Sequence, residues 1–163
     1  MKFIYTFLLI LTSILAYSEE QLFSVSLQNQ AEETNKKLNY FEHRFVERPE
    51  VSSQGASVIY FYTKDSLKLI KDNIYGEMGQ SELLFYMDDT TVYYIVEKIT
   101  NYKIPFTEIK SFTEKTVEEK TRKYYFYKNK LEMVYKDKSD QDPFNSDFLL
   151  QELKDLLVIY KKN

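Results

Sequence analysis

The sequence predicts an α+β fold, an antiparallel up-and-down sheet of about six strands packed with an N-terminal and a C-terminal amphipathic helix. Three observations carry this. Apolar positions recur at helical spacing before residue 46, alternate with period 2 between Ala56 and Tyr135, and return to helical spacing after Pro143. The alternating segment falls into three pairs separated by short polar turns. Sequential strands usually pair with one another, so a meander is the simplest topology.

The N-terminus comes before the fold. Lys2 precedes the apolar run Phe3 to Leu15, and small residues stand at Ala16 and Ser18 ahead of Glu19-Glu20. A cation, an apolar stretch too short to span a bilayer and a small-residue site are the parts of a secretory signal peptide. Residues 1–18 are expected to be that signal, cut after Ser18, and residues 19–163 a single exported domain with no membrane span after cleavage. With no Cys in the chain, an oxidising eukaryotic secretory route is the less natural destination, and a periplasmic or secreted location is expected.

From Ser24 to Phe45, Leu27, Ala31, Thr34, Leu38, Phe41 and Phe45 fall three and four apart and predict the first helix, with Gln28, Glu32, Asn35, Lys36, Asn39 and Glu42 toward water. Pro49 and the loop chemistry of Ser52-Ser53-Gln54-Gly55 end it near Arg44 to Glu47. Three hairpins follow. Val58–Tyr62 returns as Leu67–Lys71, Leu83–Met87 as Val92–Val96, and Tyr124–Tyr127 as Leu131–Tyr135. Gly76 to Gln80 is a tight loop between the first two. Asn101 to Thr121, carrying Pro105, joins the last two as a flap or a single helical turn after an extension of the preceding strand. Asp137 to Pro143 is an exposed linker. Asn145 or Ser146 then caps a closing helix whose face is Leu149, Leu150, Leu153, Leu156, Leu157 and Tyr160.

Composition removes much catalytic vocabulary. Zero Cys, one His, no Trp and three Gly leave no thiol chemistry, zinc ribbon, CxxC haem attachment or glycine-rich phosphate cradle. The charges, 22 basic against 25 acidic, are interspersed, which argues against nucleic acid and anionic membrane surfaces as partners. His43, late in the first helix, has no nucleophile elbow to serve and is expected to be solvated. Asp88-Asp89 sits where a turn wants Asp. Asp137, Asp140 and Asp142 fail the calcium-loop template, since position 6 would be Asp142 and position 12 Phe148. No cofactor and no metal site are expected.

The aromatic load is the remaining feature, with 13 Tyr and 10 Phe after the signal. Strand alternation sets Ile59 and Phe61 on one face against Tyr60 and Tyr62 on the other, and Tyr124 and Phe126 against Tyr125 and Tyr127. Such pairs ordinarily stabilise a sheet. Tyr60, Tyr62, Tyr125 and Tyr127 are also the candidate binding residues, because tyrosine offers large contact area at small entropic cost.

The runs Ile74-Tyr75-Gly76-Glu77-Met78-Gly79-Gln80-Ser81, Leu84-Phe85-Tyr86, Tyr93 to Lys98 and Arg122 to Leu131 resemble a widespread class of uncharacterised exported bacterial proteins. In that class a helix precedes an antiparallel meander with Tyr-Tyr-Phe hairpins. The resemblance spans roughly Ala31 to Asp137 and implies no catalytic residues. Where that class has Gly in the last turn this chain has Lys130, leaving Asn129 as the residue best suited to positive φ. The expected function is therefore a non-enzymatic exported binding or interaction module, engaging a protein or an extracellular ligand. The alternatives are a carrier of a small apolar ligand, or a hydrolase using carboxylates such as Glu77, Glu97 or Glu118.

Overall fold

A computed structural model describes residues 21–110, 116–136, 140 and 146–162. Residues 21–36 form helix α1, followed by a 3-10 turn at Leu38–Tyr40. Seven strands come next: β1 Glu42–Glu47, β2 Ala56–Thr63, β3 Ser66–Gly76, β4 Gly79–Asp88, β5 Thr91–Tyr102, β6 Val117–Tyr127 and β7 Lys130–Lys136. Helix α2, Ser146–Lys162, closes the chain. The sheet is antiparallel throughout, and its strands lie in sequence order from β1 to β7.

The α+β class and the meander agree with the sequence, but the described residues form seven strands, not six. The extra one is cut from the expected first helix. Phe41 and Phe45 fit a helical face, yet Glu42–Glu47 pairs in register with Ser57–Tyr62. Without β1, the long apolar β2 would carry an unpaired edge of N–H and C=O groups. Pairing along six residues outweighs a marginal helical period. His43 is thus an exposed residue of an edge strand, with its ring 6.1 Å from that of Phe61, rather than a helix-end histidine.

Both faces of the sheet carry a helix. On one, Leu149, Leu153 and Leu156 of α2 pack on Val58, Tyr60, Ile70, Phe85, Ile95, Tyr124 and Phe126. On the other, Phe23, Leu27 and Ala31 of α1, with Leu38, pack on Leu69, Tyr86, Tyr94, Val96 and Tyr125. Gln28 and Asn35, expected to face water, reach down to this sheet face. Gln28 Nε2 donates to the Tyr125 hydroxyl at 2.6 Å and Asn35 Nδ2 to the Tyr86 hydroxyl at 3.0 Å. Because buried phenols need partners, these bonds make the aromatic layer tolerable.

Among the described residues, the connection between β5 and β6 holds a 3-10 turn at Phe106–Glu108. Of the expected linker, Asp140 alone lies among the described residues, and it is buried rather than exposed. Asp137, Asp142 and the Asn145 cap lie outside them.

The β6–β7 turn has both central residues, Lys128 and Asn129, at positive φ (50° and 63°). That is the two-residue geometry matched to strand twist. Asn129 Oδ1 also accepts from the Val92 amide at 2.9 Å, so this side chain ties two turns together. Lys128 makes no hydrogen bond of this kind among the described residues, and its ammonium lies 5.2 Å from the exposed Tyr127 ring. Lys128→Gly is therefore expected to raise stability by about 0.5–1 kcal/mol, the strain of a left-handed side-chain-bearing residue. An unchanged or lowered denaturation midpoint would count against this turn geometry.

Candidate functional site

The four tyrosines chosen from sequence do not share a surface. Tyr60 is fully buried beneath α2, and its hydroxyl donates to the Leu156 carbonyl at 2.9 Å. Burial pushes its pKa up to about 12, so it stays a neutral donor. Tyr62 packs edge-on against Tyr160. The Arg44 guanidinium lies 5.0 Å from the Tyr60 ring and 5.1 Å from the Tyr160 ring and donates to the Tyr160 carbonyl. These groups anchor the last turns of α2. Tyr125 is buried under α1 on the opposite face. Tyr127 is exposed at the β6–β7 turn, beneath Lys128. Register bulges at Phe61/Tyr62 and Tyr125/Phe126 add to the separation.

The candidate carboxylates also lie apart. Glu77 is in the β3–β4 turn. Glu97 sits on the α2 side, accepting from the Tyr124 hydroxyl at 2.5 Å and from Arg122 Nη1 at 3.4 Å. Glu118 pairs with Lys120 at 3.6 Å. Asp89 is in the β4–β5 turn at positive φ, as turn chemistry requires. Among the described residues no group of three potential ligands could hold a metal ion, and no helix is long and apolar enough to cross a membrane.

Two buried charge clusters escaped the sequence reading. Arg48, just past β1, donates through Nη1 to Glu152 of α2 at 2.9 Å and through Nη2 to Asp72 of β3. Burial pushes Asp72 up to about 6, despite Arg48, and the neighbouring Glu152 carboxylate adds to the rise. Arg122 forks onto Asp140 at 2.5 and 2.9 Å, and this pairing raises its pKa further. Asp72, Leu83, Glu97 and Arg122 follow one another across neighbouring strands, so both clusters share a single row of the sheet. Within them the charges answer one another, Arg48 with Asp72 and Glu152, and Arg122 with Asp140 and Glu97.

The open chemistry is elsewhere. Helix α1 runs across the strands, touching Tyr125 of β6 through Gln28 and Tyr86 of β4 through Asn35. A helix is about 10–12 Å wide, whereas the 11 residues of β3 and 12 of β5 extend roughly 35–40 Å. One end of this face is therefore left uncovered by the described residues. It presents Lys71, Asn73 and Tyr75 from β3, Gln80 and Glu82 from β4, and Lys98 and Thr100 from β5, joined by the pairings Asn73–Glu82–Lys98 and Tyr75–Gln80–Thr100.

Beyond that floor lies a cleft of about 320 Å³ lined by Gln54, Tyr75, Glu77, Gln80, Tyr102, Phe106 and Thr107. Main-chain bonds fix its walls. The Tyr75 amide donates to the Gly55 carbonyl at 3.0 Å, that of Tyr102 to Met78 at 2.8 Å and that of Phe106 to Glu77 at 2.9 Å. Gly79 is required here, since a Cβ would stand 2.5 Å from the Thr100 carbonyl oxygen. Tyr102 is buried with its ring 5.7 Å from Phe106, while Tyr75 and Phe106 keep 40% and 53% of their surface exposed. A second depression of about 250 Å³, over Asn73, Glu82, Lys98 and Thr100, shares Tyr75 and Gln80 with the first. Together they make one elongated groove.

Neither Tyr75 nor Phe106 was singled out from sequence. The available signal was a change of character along one face of β3, from Leu69 to Lys71, Asn73 and Tyr75. No protein-family model, no curated protein and no solved structure matches the chain.

Proposed function

We propose that the chain is a non-enzymatic exported binding module, with residues 1–18 as its removed signal, and that its contact surface is the groove on the uncovered end of the α1 face. The observation that carries this is a shaped concavity with rigid main-chain walls and two half-exposed aromatic rings beside it. Exposed aromatic surface around a formed cleft is the usual character of a recognition site. The acids named for hydrolysis support catalysis poorly, because they do not converge: Glu97 is committed to Arg122 and Tyr124 on the opposite face from the groove, Glu118 pairs with Lys120, and Glu77 is the one of the three that lines the groove. An apolar carrier is supported less well too, since the part of the groove over Asn73, Glu82, Lys98 and Thr100 is polar.

The test is crosslinking of the tagged chain in its native exported fraction. The double variant Tyr75→Ser/Phe106→Ser should lower conjugate yield roughly ten-fold or more, equivalent to about 1.4 kcal/mol, with an unchanged thermal transition. His43→Ala and Glu132→Ala, on the two edge strands, should leave the yield as it was. Equal yield from the double variant would refute the assignment of the groove.

A further inference from the structure

We infer that the groove takes a neutral, polyhydroxylated ligand, a short glycan chain, with a sugar ring against Tyr75 and Phe106. This rests on the binding role proposed above and names the chemistry of that site.

The charges on the floor come first. Lys71 and Lys98 both bond to Glu82, the latter at 2.7 Å. The two lysines hold the Glu82 carboxyl below its ordinary range in spite of partial burial. These three groups answer one another, so neither a phosphate nor a carboxylate ligand finds an uncommitted cation among them. What stays available on the floor is neutral. The side chains of Gln54, Asn73, Tyr75, Gln80 and Thr100 make no side-chain hydrogen bond among the described residues. Amides and hydroxyls both donate and accept, which suits a ligand whose hydroxyls do the same. Glu77 at the rim adds an acceptor.

The aromatic end supplies the complementary half. A pyranose ring has an apolar C–H face and a hydroxylated edge, and exposed rings of Tyr75 and Phe106 beside polar amides match that division. The two joined depressions, about 320 and 250 Å³, form an elongated site rather than a single-point pocket.

An extended peptide is the nearest competitor, and it lacks its usual handle. Peptides gain affinity on sheets by adding a strand to a free edge. The groove lies over β3, β4 and β5, interior strands whose backbone groups are already paired on both sides. Sugar recognition needs only side chains, and those are what this surface presents.

The experiment is an amide chemical-shift titration of the exported chain with four probes: a β-1,4-linked N-acetylglucosamine tetramer, a glucose tetramer, a uronic acid tetramer and a neutral tetrapeptide. At least one neutral saccharide should shift Tyr75, Gln80 and Thr100 at millimolar concentration. Tyr75→Ala and Gln80→Ala should each weaken it roughly ten-fold or more, while Tyr127→Ala, an exposed tyrosine outside the groove, should not. Binding by neither neutral saccharide, equal binding of the uronic acid tetramer or the peptide, or indifference to Tyr75→Ala would overturn the inference. If the saccharides fail while the crosslinking result above holds, the ligand class is wrong and the groove remains the contact surface.

Discussion

Arg48→Met is expected to cost the fold about 3–5 kcal/mol near neutral pH, the usual loss when one partner of a buried ion cluster is removed. Arg48 is 5% exposed and Asp72 fully buried, and the guanidinium alone joins the end of β1, the middle of β3 and the first half of α2. Its removal strands two carboxylates, Asp72 and Glu152, side by side in the interior. Asp72→Asn in the same background should restore part of the loss by eliminating one of those charges. The Asp72→Asn variant alone gives a pH signature. A carboxyl whose pKa rises from near 4 in the unfolded chain to about 6 in the fold binds its proton more tightly when folded. It therefore withdraws stability as pH rises from about 4 to about 6, and the deficit is constant above that. Asp72→Asn should thus match the wild type near pH 4 and exceed it above pH 6. Chemical denaturation across this range checks it, and parallel stability curves for the two proteins would show that Asp72 titrates normally.

Ending the chain at Pro143 is expected to abolish cooperative folding. Leu149, Leu153 and Leu156 are buried against the sheet, with Leu150, Leu157, Ile159 and Tyr160 partly so. Three fully buried leucines represent roughly 1.5–3 kcal/mol each, against a total margin of about 5–15 kcal/mol. Truncation also removes Glu152 from Arg48 and the carbonyl acceptor from the buried Tyr60 hydroxyl. The truncated chain should bind a hydrophobic dye and show no sharp thermal transition. Leu156→Ala gives the graded version, a loss of about 2–5 kcal/mol. A truncated protein that keeps the full transition would mean that α2 is an appendage.

The fold was legible where the pattern is long. Three hairpins and the closing helix carry long periods, and their turns hold Asp89 and Asn129 where positive φ is needed. The β1 segment was not legible, because Phe41 and Phe45 satisfy a period of four as well as a period of two. Only pairing with β2, a long-range property, decides between them. The buried charges were within reach. Asp72 shares strand parity with Ile70, Glu97 with Ile95, and Arg122 with Tyr124, so each lies on a core-facing side. Sheet parity also showed that Tyr60 and Tyr62 share a side, but not which helix covers them. The groove depends on the width of α1 against the length of β3 and β5, and on a loop, a hairpin and a connection meeting at Tyr75. No local pattern encodes that meeting.

The most direct test uses the chain's lack of cysteine. Single cysteines placed at Thr100 in the groove, Glu132 on the β7 edge and Val158 on the outer face of α2 can each be alkylated without background. The rates are then compared with and without the native exported fraction. Protection of Thr100→Cys alone is the result predicted, and protection of the β7 or α2 position with Thr100→Cys left reactive would place the contact surface elsewhere.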